Sequence, residues 1–316
     1  MVLVYSDDIK LTLELLHKAH DLAKELGKKV IAVVIDSEEH ATQTLEHGAD
    51  RVILVQNAPQ QFKAEEYTQI LLSILKDHKN EIVLIGSNKN GKELAGRLAA
   101  TLNTGCVMDC TNLYMKDSKL TAERVVYSGN AIAVEQFTIS PQIVTIPAKV
   151  FDPLPRNAHH TGEILKKTID SEPSPSKILK IQEMKSEGIN VEDAQIIVSC
   201  GRGFKKKEDI RLVSELADVL KGRTVGCSRP IAADLKWLSE DHWIGLSGHK
   251  VKPKLYVACG ISGQIQHIAG MRDSGVIVAI NKDPEALIFK SADYGIVGDL
   301  YEVLPKLTSA IKEKIG

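Results

Sequence analysis

The sequence has few aromatic residues, which make up 4% of its 316 residues. With few large rings, Ile, Leu, Val and Ala must fill the core, as is typical of a parallel sheet covered by helices. Hydrophobic residues account for 43% and charged residues for 26%, the usual proportions of a globular protein. A chain of this length has room for two ordinary domains.

The sequence also lacks an excess of charge of one sign, since 40 Lys and Arg face 41 Asp and Glu. No overall basic field would attract nucleic acid or anionic lipid. No apolar run approaches the 18 residues that a membrane-spanning helix needs. We therefore expect neither nucleic-acid binding nor membrane insertion, and any partner must be recognised locally.

Cysteine is scarce and its spacing excludes the common metal motifs. The five cysteines, at 106, 110, 200, 227 and 259, form no CxxC pair. The N-terminal stretch "MVLVYSDDIKLTLELLHKA" indicates strand, turn and helix rather than an export signal. We expect reduced thiols in a cytoplasmic protein. No Ser/His/Asp triad, zinc cluster or pair of catalytic carboxylates is evident, which favours binding over hydrolysis.

The first half of the chain alternates short β-branched runs with helical patterns, which is typical of a parallel α/β domain. Between 120 and 150 several strand-like pieces follow one another without helices, which predicts a mixed or antiparallel part. The predicted strands are "KVIAVVID" (29–36), "RVILV" (51–55) and "EIVLIGS" (81–87), and the predicted helices lie near 10–26, 63–77 and 91–102.

Two proline-containing stretches, "FDPLPRNAHH" (151–160) and "DSEPSPSKILK" (170–180), interrupt regular structure. They place a boundary between a first domain, 1–190, and a second domain, 191–316. The second domain again alternates strands and helices. Its predicted strands are Ile196–Cys200, Thr224–Cys227, Leu255–Cys259, Val276–Ile280 and Tyr294–Val297.

One stretch of the first domain has the spacing of a phosphate-binding P-loop. Residues 86–92 supply the glycine, the four intervening residues and the Gly-Lys pair. The next position needs a Ser or Thr hydroxyl for Mg²⁺ but holds Glu93. We interpret the stretch as an ordinary turn from a strand into a helix.

In the second domain, polar and glycine-rich residues follow every predicted strand. Since the carboxyl ends of parallel strands meet at one edge, where helix N-termini also point, this edge is the expected ligand crevice. The five stretches are "SCGRG" (199–203), "GCSRP" (226–230), "CGISGQIQH" (259–267), "INKDP" (280–284) and "VGDL" (297–300).

The third of these stretches carries the strongest signal. Gly260 and Gly263 flank Ser262 between a strand and a short helix, which would leave bare amides for a pyrophosphate. His267 follows one turn later and either faces the ligand or is an ordinary helix-face histidine.

Four other polar positions are ambiguous. Arg202 lies between two glycines, but Lys206 occupies the third glycine position of a dinucleotide fingerprint, so a solvated surface charge is the alternative. Asn281 ends a predicted strand. Asp283, followed by a proline, predicts a helix start, and Asp299 predicts a helix cap, although an acidic residue at a strand end can equally bind a ribose.

Together these motifs resemble the alpha subunit of electron-transfer flavoproteins. The resemblance covers most of the chain. Its longest part is the fifty residues from "YVACGISGQIQHIAGM" to "GDLYEVLP" (256–305), joined by "GRG", "GCSRP", "IGLSG" (244–248), "IVLIGSNKNGKELAGRLAATLNTGCVMDCTNL" (82–113) and "VVYSGNAIA" (125–133).

The resemblance implies a first domain of nucleotide-hydrolase-like α/β fold that pairs with a beta subunit, and a second, Rossmann-like domain that binds FAD. It implies that the P-loop-like turn binds no nucleotide. It also implies an electron carrier rather than an enzyme by itself. Such a carrier shuttles electrons, through an anionic flavin semiquinone, between flavin dehydrogenases (such as the acyl-CoA dehydrogenases of fatty acid oxidation) and an acceptor oxidoreductase, both met transiently.

The resemblance also implies residue roles, by motif position. Arg202 is expected at the FAD phosphates or adenine side, and Ser228 with Arg229 at the flavin. One departure concerns Leu246 and Ser247, where many members have Gln-Thr; Leu246 removes an amide from that edge. The remaining implied contacts are Ile244, Gly245, Leu246 and Ser247 along the isoalloxazine ring; Ser262, Gly263, Gln264, Ile265, Gln266 and His267 around the pyrophosphate and flavin O2; and Asn281, Asp299 and Leu300 at the adenosine end.

Two alternatives stay open. One is the alpha subunit of an NADH-dependent electron-bifurcating complex, whose second FAD would lie mostly on the beta subunit. The other is a non-redox nucleotide-binding protein with the same fold, since folds alone do not set function.

Overall fold

The computed structural model describes residues 1–59, 61–76, 82–117, 119–127, 131–169, 172, 174–181, 190–222 and 224–315. The chain divides into two compact units, Met1–Lys180 and Ile181–Gly316. Both are α/β units built on parallel sheets, as predicted. Residues 182–189, which adjoin the predicted boundary at 190, lie outside the described residues, so that boundary stays a prediction.

The first unit is built on a seven-stranded parallel sheet in the order β10-β3-β2-β1-β4-β9-β5. The strands predicted near 30, 51 and 82 and the helices predicted near 10, 63 and 91 are confirmed. Asp8 begins the first helix by accepting a hydrogen bond from the Lys10 amide at 2.9 Å. The strands are β1 Val2–Tyr5, β2 Val30–Ile35, β3 Arg51–Gln56, β4 Ile82–Gly86, β5 Cys106–Val107, β9 Gln142–Ile146 and β10 Glu163–Thr168, and the helices are α1 Ile9–Leu26, α2 Glu38–Glu46, α3 Ala64–Lys76 and α4 Lys89–Thr101.

A second, three-stranded antiparallel sheet consists of β6 Cys110–Lys116, β7 Lys119–Val126 and β8 Ala131–Gln136. It accounts for the strand-like pieces without helices. The predictions omitted α2 and β10, because α2 buries only Ala41 and Thr44 and the sequence "EILKKT" of β10 is largely polar and exposed. Neither element has an apolar pattern strong enough to indicate its type.

Both faces of the seven-stranded sheet are covered, because side chains alternate along each strand. On β1, Val2 and Val4 pack into the cluster that includes α1, whereas Leu3 and Tyr5 pack into the cluster that includes α3 and α4. Both clusters consist mainly of Ile, Leu, Val and Ala, as the shortage of aromatic residues predicts.

The second unit contains a five-stranded parallel sheet in the order β12-β11-β13-β14-β15. All five predicted strands are confirmed. Its strands are β11 Ile196–Cys200, β12 Thr224–Cys227, β13 Leu255–Cys259, β14 Val276–Asn281 and β15 Tyr294–Val297, and its α-helices are α5 Arg211–Val219, α6 Ile265–Met271 and α7 Leu300–Ile315.

One local prediction in this unit is wrong. Asp283 and Pro284 do not begin a helix; they form a turn in which the Asp283 carboxylate accepts a hydrogen bond from the Glu285 amide at 3.0 Å. The next helix is a single 3₁₀ segment, Leu287–Ser291. The capping hydrogen bond is therefore present, but no α-helix follows it, because the backbone of Ala286, with φ −58° and ψ 129°, is not helical.

Candidate functional site

A pocket of about 420 Å³ opens at the carboxyl edge of the five-stranded sheet. This is the edge at which the sequence predicts a ligand crevice. Among the sixteen predicted site residues, those that line the pocket are Arg202, Ser228, Arg229, Ile244, Gly245, Leu246, Ser247, Ser262, Gln264, Gln266, His267 and Asn281.

Two glycine-containing turns lie against each other in the pocket. The Gly203 amide donates to the Gly260 carbonyl at 3.0 Å, and a side chain at Gly201 would overlap that same carbonyl. The glycines of "GRG" are thus required by close packing of the two turns. Arg202, between them, is exposed and lines the pocket.

The turn between β13 and α6 presents main-chain donors. Within the described part of the chain, the six amide groups from Ile261 to Gln266 donate no hydrogen bond. The Asn281 side chain fixes the turn by donating to the Ile261 carbonyl at 2.9 Å. Gly263 has a φ of +82°, and a Cβ there would overlap the amide nitrogen of Ile288. Contacts with Asn281 and Ile288 therefore fix the conformation of the turn, and its own amides stay available to a ligand.

A second turn, residues 244–249, packs against α6. The Ile244 amide donates to the Cys227 carbonyl at 2.9 Å, and the Leu246 amide donates to the Gln266 carbonyl at 2.7 Å. These bonds bring Leu246 and Ser247, both exposed, to the same pocket as His267. The residues predicted to lie along a flavin ring are thus close to the residue predicted to reach its edge.

His267 is buried and neutral. Its Nε2 lies 2.9 Å from the hydroxyl of the fully buried Tyr256. Burial lowers the pKa of His267 to about 4, and the nearby Ile244 carbonyl opposes this to a smaller extent. Its Nδ1 is buried without a hydrogen-bond partner among the described residues. His267 therefore offers a ligand one neutral polar atom, not a positive charge.

Arg229 supplies the positive charge in this part of the pocket. Its side chain is exposed, and its guanidinium carbon lies 5.9 Å from the centre of the Trp243 ring. Among the residues that the structure describes, the guanidinium makes no ion pair or hydrogen bond with a side chain or carbonyl. All five of its N–H donors remain available.

Four predicted residues do not line the pocket: Gly263, Ile265, Asp299 and Leu300. The Asp299 carboxylate caps α7 by accepting from the Tyr301 amide at 2.8 Å, and the Leu300 side chain is buried in the core. The implied contacts in turn omitted five lining residues. Four belong to the polar, glycine-rich stretches that follow the predicted strands, namely Gly203, Pro230, Gly260 and Ile261, and the fifth, Trp243, directly precedes the implied contact Ile244.

The P-loop-like turn of the first unit is occupied by the protein's own side chains. The Asp7 carboxylate accepts hydrogen bonds from the side-chain amides of Asn88 and, at 2.7 Å, Asn90. Lys92 forms an ion pair with Asp109 at 2.7 Å. The polar side chains of the turn are thus already paired with internal carboxylates, which favours the interpretation as a structural turn.

The described residues show no sign of a metal site, a membrane-spanning helix or a reactive cysteine. They contain no group of three or more His, Cys, Asp or Glu residues that could hold a metal ion, and no helix long and apolar enough to cross a membrane. The five cysteines are unpaired, and burial raises the pKa of the Cys106 thiol to about 11. None of them is an activated nucleophile.

Comparison with known families covers both units. Residues 5–172 match the electron transfer flavoprotein domain, and residues 190–272 match the electron transfer flavoprotein FAD-binding domain.

Individual relatives align along nearly the whole chain. The electron transfer flavoprotein subunit alpha of Thermoanaerobacterium thermosaccharolyticum is 40% identical over 312 residues, 96% of this chain and 94% of the relative. A FixB protein of Clostridium saccharobutylicum is 39% identical over 317 residues, 97% and 93% of the two chains. The electron transfer flavoprotein subunit alpha of Megasphaera elsdenii is 38% identical over 314 residues, 96% and 92% of the two chains.

Proposed function

Because the chain belongs to the electron-transfer flavoprotein alpha-subunit family, and FAD is the cofactor of its second unit, we propose that the pocket on the five-stranded sheet holds that FAD. In this proposal the chain pairs with a beta subunit. The heterodimer receives electrons from flavin dehydrogenases, such as acyl-CoA dehydrogenases, and passes them to an acceptor oxidoreductase in transient encounters.

The observation that carries the proposal is the set of polar groups without protein partners around one pocket. The six amides from Ile261 to Gln266, the Arg229 guanidinium and the Nδ1 atom of His267 are all unpaired among the described residues. Main-chain amides at the start of a helix have no partner within the helix, and here they converge with a cation on one pocket, which is the arrangement that binds an anionic ligand. Main-chain amides suit a pyrophosphate, and a cation with a neutral polar atom suits the polar edge of a flavin.

The walls of the pocket suit an aromatic ring. Trp243, Ile244, Leu246 and Ile261 supply apolar surface beside the polar groups. The pocket volume of about 420 Å³ lies within the range of roughly 300–1,000 Å³ that is usual for sites of small organic ligands. The residues present therefore fit FAD.

Bound FAD supplies a ring that accepts and releases electrons. The chain supplies the electrostatic environment of that ring. With Arg229 already in place, its positive charge would stabilise negative charge gained over N1 and O2 without rearrangement of the site. His267 would add a neutral hydrogen bond, and the Leu246–Ser247 turn would limit access of water to one side.

The pocket favours a carrier over an enzyme that acts by itself. Its described lining contains no Asp, Glu or Cys, so a general base or nucleophile would have to be His267 or a serine. His267 is held by Tyr256 and not by a carboxylate, and no lining serine is paired with it. This composition supports binding and electron transfer rather than acyl or phosphoryl transfer.

The proposal is tested by co-expressing the chain with a beta subunit and purifying the complex. We expect a yellow heterodimer whose visible spectrum shows flavin and whose extract contains FAD, and we expect Ser262→Trp, which fills the pocket at an exposed position, to reduce the bound FAD. A colourless heterodimer that takes up no added FAD would contradict the proposal and favour a non-redox nucleotide-binding protein.

A further inference from the structure

We propose that Trp243 is a positioning residue that holds the Arg229 guanidinium in place beside the cofactor. This inference rests on the proposed function, because it concerns the cation that acts on the bound FAD. Trp243 is half-buried, lies directly before the 244–249 turn and lines the pocket. The Arg229 guanidinium carbon lies 5.9 Å from its ring centre, within the range of a cation–π interaction.

Arg229 needs such a support. An arginine side chain is long and loses considerable freedom when it is fixed in one geometry. A carboxylate partner would fix it, but would also neutralise its charge and occupy its donors. A ring contacts the guanidinium through its flat face, so the positive charge and the N–H edges stay available to a ligand. The ring of Trp243 thus orients Arg229 without reducing its capacity to bind an anion.

Trp243 is itself rigidly held, as a support must be. Its amide donates to the Glu240 carbonyl at 3.0 Å, and its carbonyl accepts from the His249 amide at 2.8 Å. The ring also lies against the backbone of the turn, since a Cβ at Gly248 would lie 2.9 Å from Cγ and Cδ1 of the indole. One ring therefore connects Arg229 with the turn that carries Leu246 and Ser247.

The chain offers a matched control. Trp237, the other of its two tryptophans, packs in the core formed with α5 and α7 and is not among the residues described as lining the pocket. Replacing either tryptophan with phenylalanine removes a similar volume. Only the change at Trp243 alters the ring under Arg229.

The test uses the FAD-loaded heterodimer and a double-mutant cycle of Trp243→Leu and Arg229→Ala. We expect W243L to raise the Kd for FAD about three- to five-fold, which is the effect of losing one cation–π contact. We also expect it to lower the potential of the first one-electron reduction. We expect W243F to have a smaller effect in the same direction and W237F to leave both quantities near the wild-type values. In the R229A background, W243L should change the potential little further.

Three results would overturn the inference: a W243L potential equal to that of the wild type, additive effects on the potential in the double variant, or equal effects of W237F and W243F. If W243L is unstable, the same cycle with W243F decides the question. These failures would leave the proposed function intact, since the wild type would still bind FAD. Absence of FAD from the wild-type heterodimer would instead reject the proposed function.

Discussion

At the scale of the residue, a distinguishing feature of the site is that two of its polar side chains, Arg229 and His267, differ in charge state. Arg229 is exposed and unpaired among the described residues, whereas burial keeps His267 neutral by lowering its pKa to about 4. The resemblance places both His267 and Arg229 at the flavin and does not distinguish their charge states. Burial separates them, and burial of one helix-face histidine depends on tertiary packing against Tyr256 that no local pattern contains.

We expect Arg229→Ala to lower the potential of the first one-electron reduction of the bound FAD. A cation about 4 Å from the developing charge contributes at most roughly 4 kcal/mol at an effective dielectric near 20, which corresponds to a shift of up to about 170 mV. Spectroelectrochemistry of the heterodimer measures the shift. Lys306→Ala, which removes an exposed cation from α7, is the control and should change the potential by far less. Equal potentials for R229A and the wild type would reject the role of Arg229.

At the scale of the element, the strands and the edge that they share were predictable, because apolar runs of four to six residues followed by polar, glycine-rich turns recur along the second unit. Twelve of the predicted contacts line one pocket for this reason. The element that failed, the helix expected at Pro284, has a sound capping residue, but the backbone of Ala286 is not helical and only the 3₁₀ segment Leu287–Ser291 follows. The polar elements α2 and β10 were not predictable, because tertiary contacts, and not the periodicity of their own sequences, determine their secondary structure.

We expect Gly263→Ala to destabilise the second unit. The positive φ and the overlap of a Cβ with the Ile288 amide would strain the turn and break the bond from that amide to the Ser262 carbonyl, now 3.1 Å long. Residues forced into such a conformation cost about 1–3 kcal/mol. Urea unfolding followed by tryptophan fluorescence measures the loss, because both tryptophans, 237 and 243, lie in this unit.

The neighbouring exposed residue supplies the control for this prediction. Ser262→Ala keeps the Cβ and should change the free energy of unfolding by no more than about 0.5 kcal/mol. If G263A were as stable as S262A, the turn would not depend on glycine at position 263.

At the scale of the whole molecule, the two units differ in whether polar groups at the carboxyl edges of their sheets have partners within the protein. In the first unit Asp7 and Asp109 engage Asn88, Asn90 and Lys92 at the P-loop-like turn. In the second unit the Arg229 guanidinium and the main-chain amides from Ile261 to Gln266 have no partner among the described residues. This contrast supports cofactor binding by the second unit and a structural role for the turn in the first.

We therefore expect one FAD per heterodimer, bound through this chain. The flavin absorbance of the purified complex, divided by its protein concentration, measures the ratio. Two FAD molecules per heterodimer, together with reduction by NADH, would instead favour the alpha subunit of an electron-bifurcating complex. Disrupting the pocket with Ser262→Trp would then remove one flavin and leave the other.

The described lining residues of the pocket lie between Arg202 and Asn281, inside a single compact unit. Substitutions in Met1–Lys180 therefore change none of the described lining residues. If this pocket holds FAD as proposed, the first unit can change its surface to suit different partner proteins while every described residue that lines the cofactor pocket stays the same.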